Sequence, residues 1–270
     1  MASILEGGCR VSGLREGEAL RLGNLRMWTP VGRATGARAI SLRILECARG
    51  LSPALRNASC DEVLYVLAGG GAVILDGASH DVAADTGIYL RPGSTLSVLN
   101  ESEAPLIMVS SRCPEPEESG IQVEAPAPSA TSAMHAARPP LVRLSDREAL
   151  PSGDRWYRVL VDGEVGSEQV TQFVGSIPPG RAPDHHHHYE EVLCVLRGRG
   201  VMWAGSSSAP IEAGSCIYLP RRQNHCVENT GAEELRLLGV FYPAGSPAVS
   251  YDAPGAPERT PPDRRAPTRS

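Results

Sequence analysis

The chain contains no lysine, and all 26 of its basic residues are arginines. Without an ε-amino group there is no Schiff-base nucleophile, no attachment point for pyridoxal phosphate and no P-loop lysine, so those chemistries are excluded. Aromatic residues are scarce, at 4% with two phenylalanines. No apolar run approaches the ~18 residues that a membrane-spanning helix needs. The first residues, Met1 to Arg10, lack a basic start followed by an apolar core, and a cytoplasmic location with no membrane partner is the expectation. A net charge of −5 supplies no clustered positive surface, so no nucleic-acid partner is expected. The seven cysteines form no CxxC pair and are odd in number, which reads as reduced packing residues rather than a disulfide framework or a cysteine-ligated zinc site.

What is present is β structure. With 270 residues and 41% apolar content, the chain is long enough for two modest domains, each with its own core. Short β-rich runs such as Glu62–Leu67, Ala72–Leu75, Gly87–Leu90 and Leu106–Val109 are separated by Gly, Asp, Asn and Pro, the spacing of a sandwich or barrel. Similar runs resume at Trp156–Val161 and Val170–Val174 and continue to Phe241 and Tyr242. Between them the composition shifts to Pro, Glu, Ala and Ser, and beyond Pro243 to Pro, Arg, Ser and Ala, neither of which can bury a core. These shifts predict an N-terminal domain at 15–113, a Pro/Ala-rich linker at 114–140, a C-terminal domain at 141–245 and a disordered tail at 246–270.

Four of the seven histidines sit together in Asp184-His-His-His-His-Tyr-Glu-Glu191, directly before the apolar run Val192–Leu196. On an extended backbone successive side chains alternate faces, so His185, His187 and Glu191 can converge on one side, or His186, His188 and Glu190 on the other. His225 follows the strand-like Cys216–Leu219 and a polar turn, and offers a further imidazole. Three imidazoles and a carboxylate suit a divalent transition metal.

The two halves repeat one unit. Glu62-Val-Leu-Tyr-Val-Leu-Ala-Gly69 lies over Glu191-Val-Leu-Cys-Val-Leu-Arg-Gly198 at an offset of 129, and Ile88-Tyr-Leu lies over Ile217-Tyr-Leu at the same offset. Gly71 with Gly200, and Asn100 with Asn229, also correspond.

At these residues the chain resembles the cupin superfamily, and its duplication resembles a bicupin. The first family motif is met by His185, His187, Glu191 and Gly198, with Gly180 one residue closer to the first histidine than usual. The second is met by Gly214, Pro220, His225 and Asn229, with Arg222 where the family has a glycine. The resemblance implies an all-β fold of two jelly-roll barrels and selects His185, His187, Glu191 and His225 as the metal ligands. The offset places Arg56, Ala58, Glu62 and Leu96 at the equivalent positions of the first half, so that barrel is expected to be metal-free, with Arg56 facing Glu62.

The same resemblance implies one divalent transition metal per chain, Fe(II) by preference and otherwise Mn, Ni, Co or Zn, with Glu191 also catalytic. The expected activity is a dioxygenase reaction between O2 and a small polar organic substrate such as an amino acid, thiol or enol, in bacterial specialised metabolism. The alternatives are a metal-dependent isomerase, lyase, decarboxylase or hydrolase, and a non-catalytic ligand-binding bicupin. Gln172, Phe173, Trp203 and Tyr218 are candidates for the substrate pocket, and a homodimer is expected.

Overall fold

The computed structural model describes residues 2–56, 59–115, 122–124 and 140–248. Strands dominate them, and the helical elements Glu6–Gly8, Arg33–Thr35 and Leu144–Asp146 are single 3-10 turns. Among the described residues no helix is long and apolar enough to cross a membrane. The expected linker lies largely outside the described residues, and the expected tail lies outside them from residue 249 onward.

The strands form two jelly-roll barrels. In the N-terminal one, a sheet centred on Asp61–Ala68 and Leu106–Cys113 faces a second built on Gly70–Leu75 and Thr95–Asn100. In the C-terminal one, Glu190–Arg197 and Leu235–Tyr242 lie at the centre of an eight-stranded sheet that faces a four-stranded sheet of Gly180–Arg181, His225–Asn229, Arg199–Ala204 and Ser207–Glu212.

Two exchanges cross the domain boundaries expected from composition. Arg10–Gly13 pairs with Ser215–Leu219, so the start of the chain completes the C-terminal sheet. Leu141–Arg143, expected to begin the C-terminal domain, instead pairs with Thr86–Leu90 of the N-terminal sheet. Composition reports where a chain can bury surface, not which sheet edge a short strand will satisfy.

Strand alternation explains the continuous apolar runs. Along Glu190–Arg197, Leu193 and Val195 point into the C-terminal barrel core, whereas Val192 and Cys194 join a cluster that includes Trp28, Tyr65 and Tyr89 of the other barrel. Along Asp61–Ala68, Leu64 and Val66 face their own barrel, and Val63 and Tyr65 face the neighbour. A strand buried on both faces has no need of a polar face, so alternation is lost from its sequence. All seven cysteines are buried, and none forms a disulfide.

The repeat extends to individual hydrogen bonds. Buried Asn100 donates to the Cys47 and Ala104 carbonyls and accepts from the Ser102 amide; Asn229 donates to Ile177 and Glu233 and accepts from Gly231. Gly93 (φ 89°) and Arg222 (φ 62°) occupy equivalent left-handed positions. Arg222 therefore keeps the turn that glycine makes, at a local backbone cost of about 1–2 kcal/mol. Its amide donates to the His187 carbonyl at 2.6 Å, which ties the turn to the histidine segment.

Candidate metal centre

His185 and His225 exchange backbone hydrogen bonds as an isolated antiparallel bridge, N to O at 2.9 and 2.8 Å. This brings the segment ahead of Glu190–Arg197 against the start of the strand His225–Asn229. His187 lies one alternation further on, and the ligand atoms of His185, His187 and His225 all fall within 4.8 Å of one another. Glu191 Oε2 stands 3.5 Å from His187 Nε2. His187, Glu191 and His225 are buried, and His185 is partly buried. The two faces left open by simple alternation are thereby separated. Glu190 turns to the other barrel, where it accepts the backbone amides of Arg38 and Ala39.

The donor chemistry fits a metal cation. His225 Nδ1 lies 2.8 Å from the Gln223 carbonyl and His185 Nδ1 lies 3.1 Å from the Pro183 carbonyl. A carbonyl only accepts, so each Nδ1 carries the proton and each Nε2 keeps its lone pair for a ligand. His187 Nδ1 is buried without a hydrogen-bond partner, and its Nε2 lies beyond good hydrogen-bond range of Glu191. Burial, reinforced by the His185 and His225 rings, pushes His187 down to about 2, and burial with His185 pushes His225 down to about 3. Both are neutral at physiological pH, as metal ligation requires.

Burial alone pushes Glu191 up to about 8, so without a cation it holds a proton at pH 7. Cation binding needs the carboxylate and must expel that proton. The divalent-metal association constant is expected to rise about tenfold per pH unit toward pH 8 and to flatten above it, with one proton released per ion at pH 7. Isothermal titration in buffers of different ionisation enthalpy measures that proton. A flat affinity between pH 6 and 8 would remove Glu191 from the ligand set.

The four residues lie in a cavity of about 120 Å3, room for a small molecule and not a macromolecule. Its walls include Tyr157, Phe173, Tyr189, Leu193, Val227 and Leu237. Tyr189 stacks between His187 (centroids 4.7 Å apart, planes at 11°) and Phe241 (4.3 Å, 18°).

Of the pocket candidates from sequence, the cavity contains Phe173 alone. Gln172, one residue away, points to the opposite face, where its side-chain oxygen occupies the space beside Gly87 of the other barrel. Trp203 lies under Arg181 (4.4 Å) and donates to Glu228 at 2.9 Å. Tyr218 is buried in the apolar cluster shared by the barrels. Strand parity separates these residues from the site. The same parity, continued beyond the histidines, would have found Tyr189 and Leu193, since residues 185, 187, 189, 191 and 193 all line the cavity.

In the first barrel Glu62 has a different partner from the one expected. Arg43 and Arg112, not Arg56, bond the Glu62 carboxylate, with Ser110 Oγ donating at 2.6 Å. Arg56 lies on the strand Ala54–Arg56, opposite Thr95. The pair Arg43–Ser110 corresponds in register to Phe173–Gly239 of the second barrel. A guanidinium thus supplies the positive charge beside Glu62. Among the described residues, the three histidines form the only cluster suited to a metal ion.

A double jelly roll that brings three histidines together in one barrel can be compared with known proteins. Residues 173–241, within the C-terminal barrel, match the cupin domain family, and over most of the chain the double jelly roll is shared with solved structures of low sequence identity. Auxin-binding protein 1 of Arabidopsis thaliana is 34% identical over 86 residues, covering 28% of this chain and 43% of that protein. The oxalate-binding protein of Thermotoga maritima is 33% identical over 67 residues, covering 24% and 55%. The chain spans about half the length of the curated relatives it matches. Among solved structures, Bacillus subtilis oxalate decarboxylase, studied for its Mn(II) centres, superposes with a TM-score of 0.72 at 16% identity, over 89% of this chain and 79% of the other. Protein Ylba of E. coli superposes with a TM-score of 0.68 at 15% identity, over 89% and 93%.

Proposed function

We propose that this chain is a mononuclear metal-dependent enzyme whose C-terminal barrel holds one divalent transition metal ion through His185, His187, Glu191 and His225, and that with Fe(II) it acts as a dioxygenase on a small organic substrate. The observation that carries this reading is the convergence of three imidazoles and a buried carboxylate in one cavity with a largely apolar lining. When bound, such an ion supplies Lewis acidity toward a substrate donor and, as Fe(II), the one-electron steps that let dioxygen react with a closed-shell molecule.

The protein's own residues supply the rest. The Pro183 and Gln223 carbonyls hold two imidazoles in one tautomer and one orientation. Phe173, Tyr157 and Leu237 give the cavity an apolar wall beside the cluster. Glu191, as a buried carboxylate, is the group able to accept a proton from the substrate's acidic position. The plugged first barrel supports an architectural role for that half.

Iron-loaded protein is expected to consume dioxygen with at least one member of a panel of thiols, enols, catechols and carboxylic acids, and to be inert under strict anaerobiosis. An oxygen electrode and anaerobic controls check this. A second reading draws on the fold shared with a Mn(II) oxalate decarboxylase: a non-redox lyase or decarboxylase. Turnover that persists without oxygen in the Mn(II)-loaded protein would favour it.

A further inference from the structure

Resting on the metal reading above, we propose that the segment Ser3–Gly13 is part of the metal centre. Its turn Glu6–Gly8 is a positioning element that fixes the loop Pro220–Asn224 and, through the Gln223 carbonyl, sets the tautomer and orientation of His225.

The segment is anchored on both sides of that turn. Arg10–Gly13 pairs with Ser215–Leu219, and Ser3–Ile4 folds back on Arg10 and Val11. Leu5, Cys9 and Val11 are buried in the C-terminal barrel core with Leu193, Leu219 and Val227. The Leu5 amide donates to the Cys9 carbonyl at 2.7 Å and the Gly8 amide to the Leu5 carbonyl at 3.2 Å, which closes the turn. The turn is thereby held against two loops that meet at His225. On one flank, Glu6 Oε2 accepts the Ser206 amide and Ser206 Oγ, each at 2.8 Å, and the Glu6 amide donates to Ser207 Oγ at 2.7 Å. The neighbouring Gly205 amide donates to the Asn224 carbonyl at 3.1 Å, one residue before the ligand. On the other flank Gly7 (φ 70°) lies against the Gln223 side chain, where a Cβ would overlap Gln223 Oε1. Gln223 Nε2 donates to the Asn224 carbonyl at 2.9 Å, and the Gln223 carbonyl accepts His225 Nδ1–H at 2.8 Å. Contact with Gly7 thus reaches the imidazole through a single residue.

The first barrel shows the alternative. At the offset of 129, Asp76 (φ 48°) stands at the position of Gly205 (φ 58°), and its amide makes the equivalent hydrogen bond, to the Thr95 carbonyl at 3.1 Å. Asp76 also secures the link with its own side chain, whose Oδ1 accepts the Thr95 amide at 2.8 Å. Gly205 has no side chain to do so, and the Glu6 carboxylate lies where its Cβ would be. The barrel with the histidines therefore draws from a segment 200 residues away what its copy supplies locally. Outer partners of a metal-binding imidazole hold it in one tautomer and one orientation, and the Gln223 carbonyl can do that only while its loop is fixed.

Anaerobic isothermal titration of the full-length protein with Mn(II), with Tm measured alongside, tests this. Gly7→Val places a β-branched residue at a left-handed position and against Gln223. It is expected to weaken Mn(II) binding at least about tenfold, the loss that follows removal of a ligand's outer partner. Glu6→Ala, at an exposed position, removes the carboxylate alone and should weaken binding about threefold. Glu6→Gln keeps an acceptor for Ser206 and should bind Mn(II) as the wild type does. Met202→Ala is the structural control: its side chain is buried in the same core and does not line the cavity, so Tm should fall while Mn(II) affinity is unchanged. Wild-type affinity in folded Gly7→Val or Glu6→Ala overturns the proposal, and so does an equal loss of affinity in Met202→Ala or Glu6→Gln. Failure of the wild-type chain to take up Mn(II) sinks the metal reading itself, whereas a wild type and variants that load equally well sink the positioning role alone.

Discussion

Replacing His187 with alanine is expected to take the purified protein from about one divalent metal ion per chain to near zero under matched dialysis. Losing an outer hydrogen-bond partner of a metal ligand costs roughly 10–100-fold in affinity, and losing a ligand costs more. His187 is the sharpest choice because it is buried, neutral and without a hydrogen bond at Nδ1, so its removal breaks no hydrogen-bond network. Its ring stacks on Tyr189, and alanine therefore leaves a cavity beside an otherwise intact aromatic ladder. Elemental analysis of anaerobically prepared wild type and variant decides the matter. Unchanged occupancy in His187→Ala would show that the ion, if any, sits elsewhere.

The second large effect is expected in the other barrel, and in stability rather than metal content. Glu62→Ala leaves the guanidiniums of Arg43 and Arg112 buried without their carboxylate. Burial pushes the Glu62 carboxyl up, but the two arginines outweigh it and hold it below the usual carboxylate range. Breaking a buried pair from one side costs about 3–5 kcal/mol, which for a chain of this size is a fall of roughly 6–20 °C in Tm. Replacing Arg43, Glu62 and Arg112 together by apolar residues of similar volume should recover most of that loss, because no buried charge then lacks a partner. Calorimetry follows both variants, and metal stoichiometry should be the same in each. A stable Glu62→Ala protein would mean that water or another acid reaches the arginines.

These two glutamates show how far the chain could be read without coordinates. The repeat of Glu62–Gly69 at Glu191–Gly198 was visible as a register of letters, and with it the duplicated barrel and the histidine set. The fate of the first site was only half visible. The loss of histidines at positions 56, 58 and 96 could be read directly, but the arginines that replaced the cation come from strands 19 residues before and 50 residues after Glu62 in the chain. Sequence offset carries a motif position such as that of Arg56 across the repeat and says nothing about which distant strand supplies a neighbour.

The pocket lining divides in the same way. Phe173 was identifiable as an aromatic on a strand, yet so were Trp203 and Tyr218, and one-residue parity on a sheet buried on both faces leaves no polar residue to mark which way each points. Composition also could not place Arg10–Gly13 on the far barrel or Leu141–Arg143 on the near one, since an edge strand is recruited by the groups it satisfies and not by its own pattern.

By itself, then, the sequence determined that this protein lacks lysine chemistry, that its two halves are β-rich, that one unit occurs twice, and that only the second copy carries three histidines and a glutamate at ligand spacing. Those properties are local or periodic, and a linear string preserves them. The tertiary structure alone decided that Glu190 turns to the barrel interface, that Arg43 and Arg112 hold Glu62 in the first barrel, and that Phe173, packed over Gly239, lines a cavity in the second. Each depends on contacts between strands far apart in the chain, where packing and desolvation act on whichever groups the fold brings together.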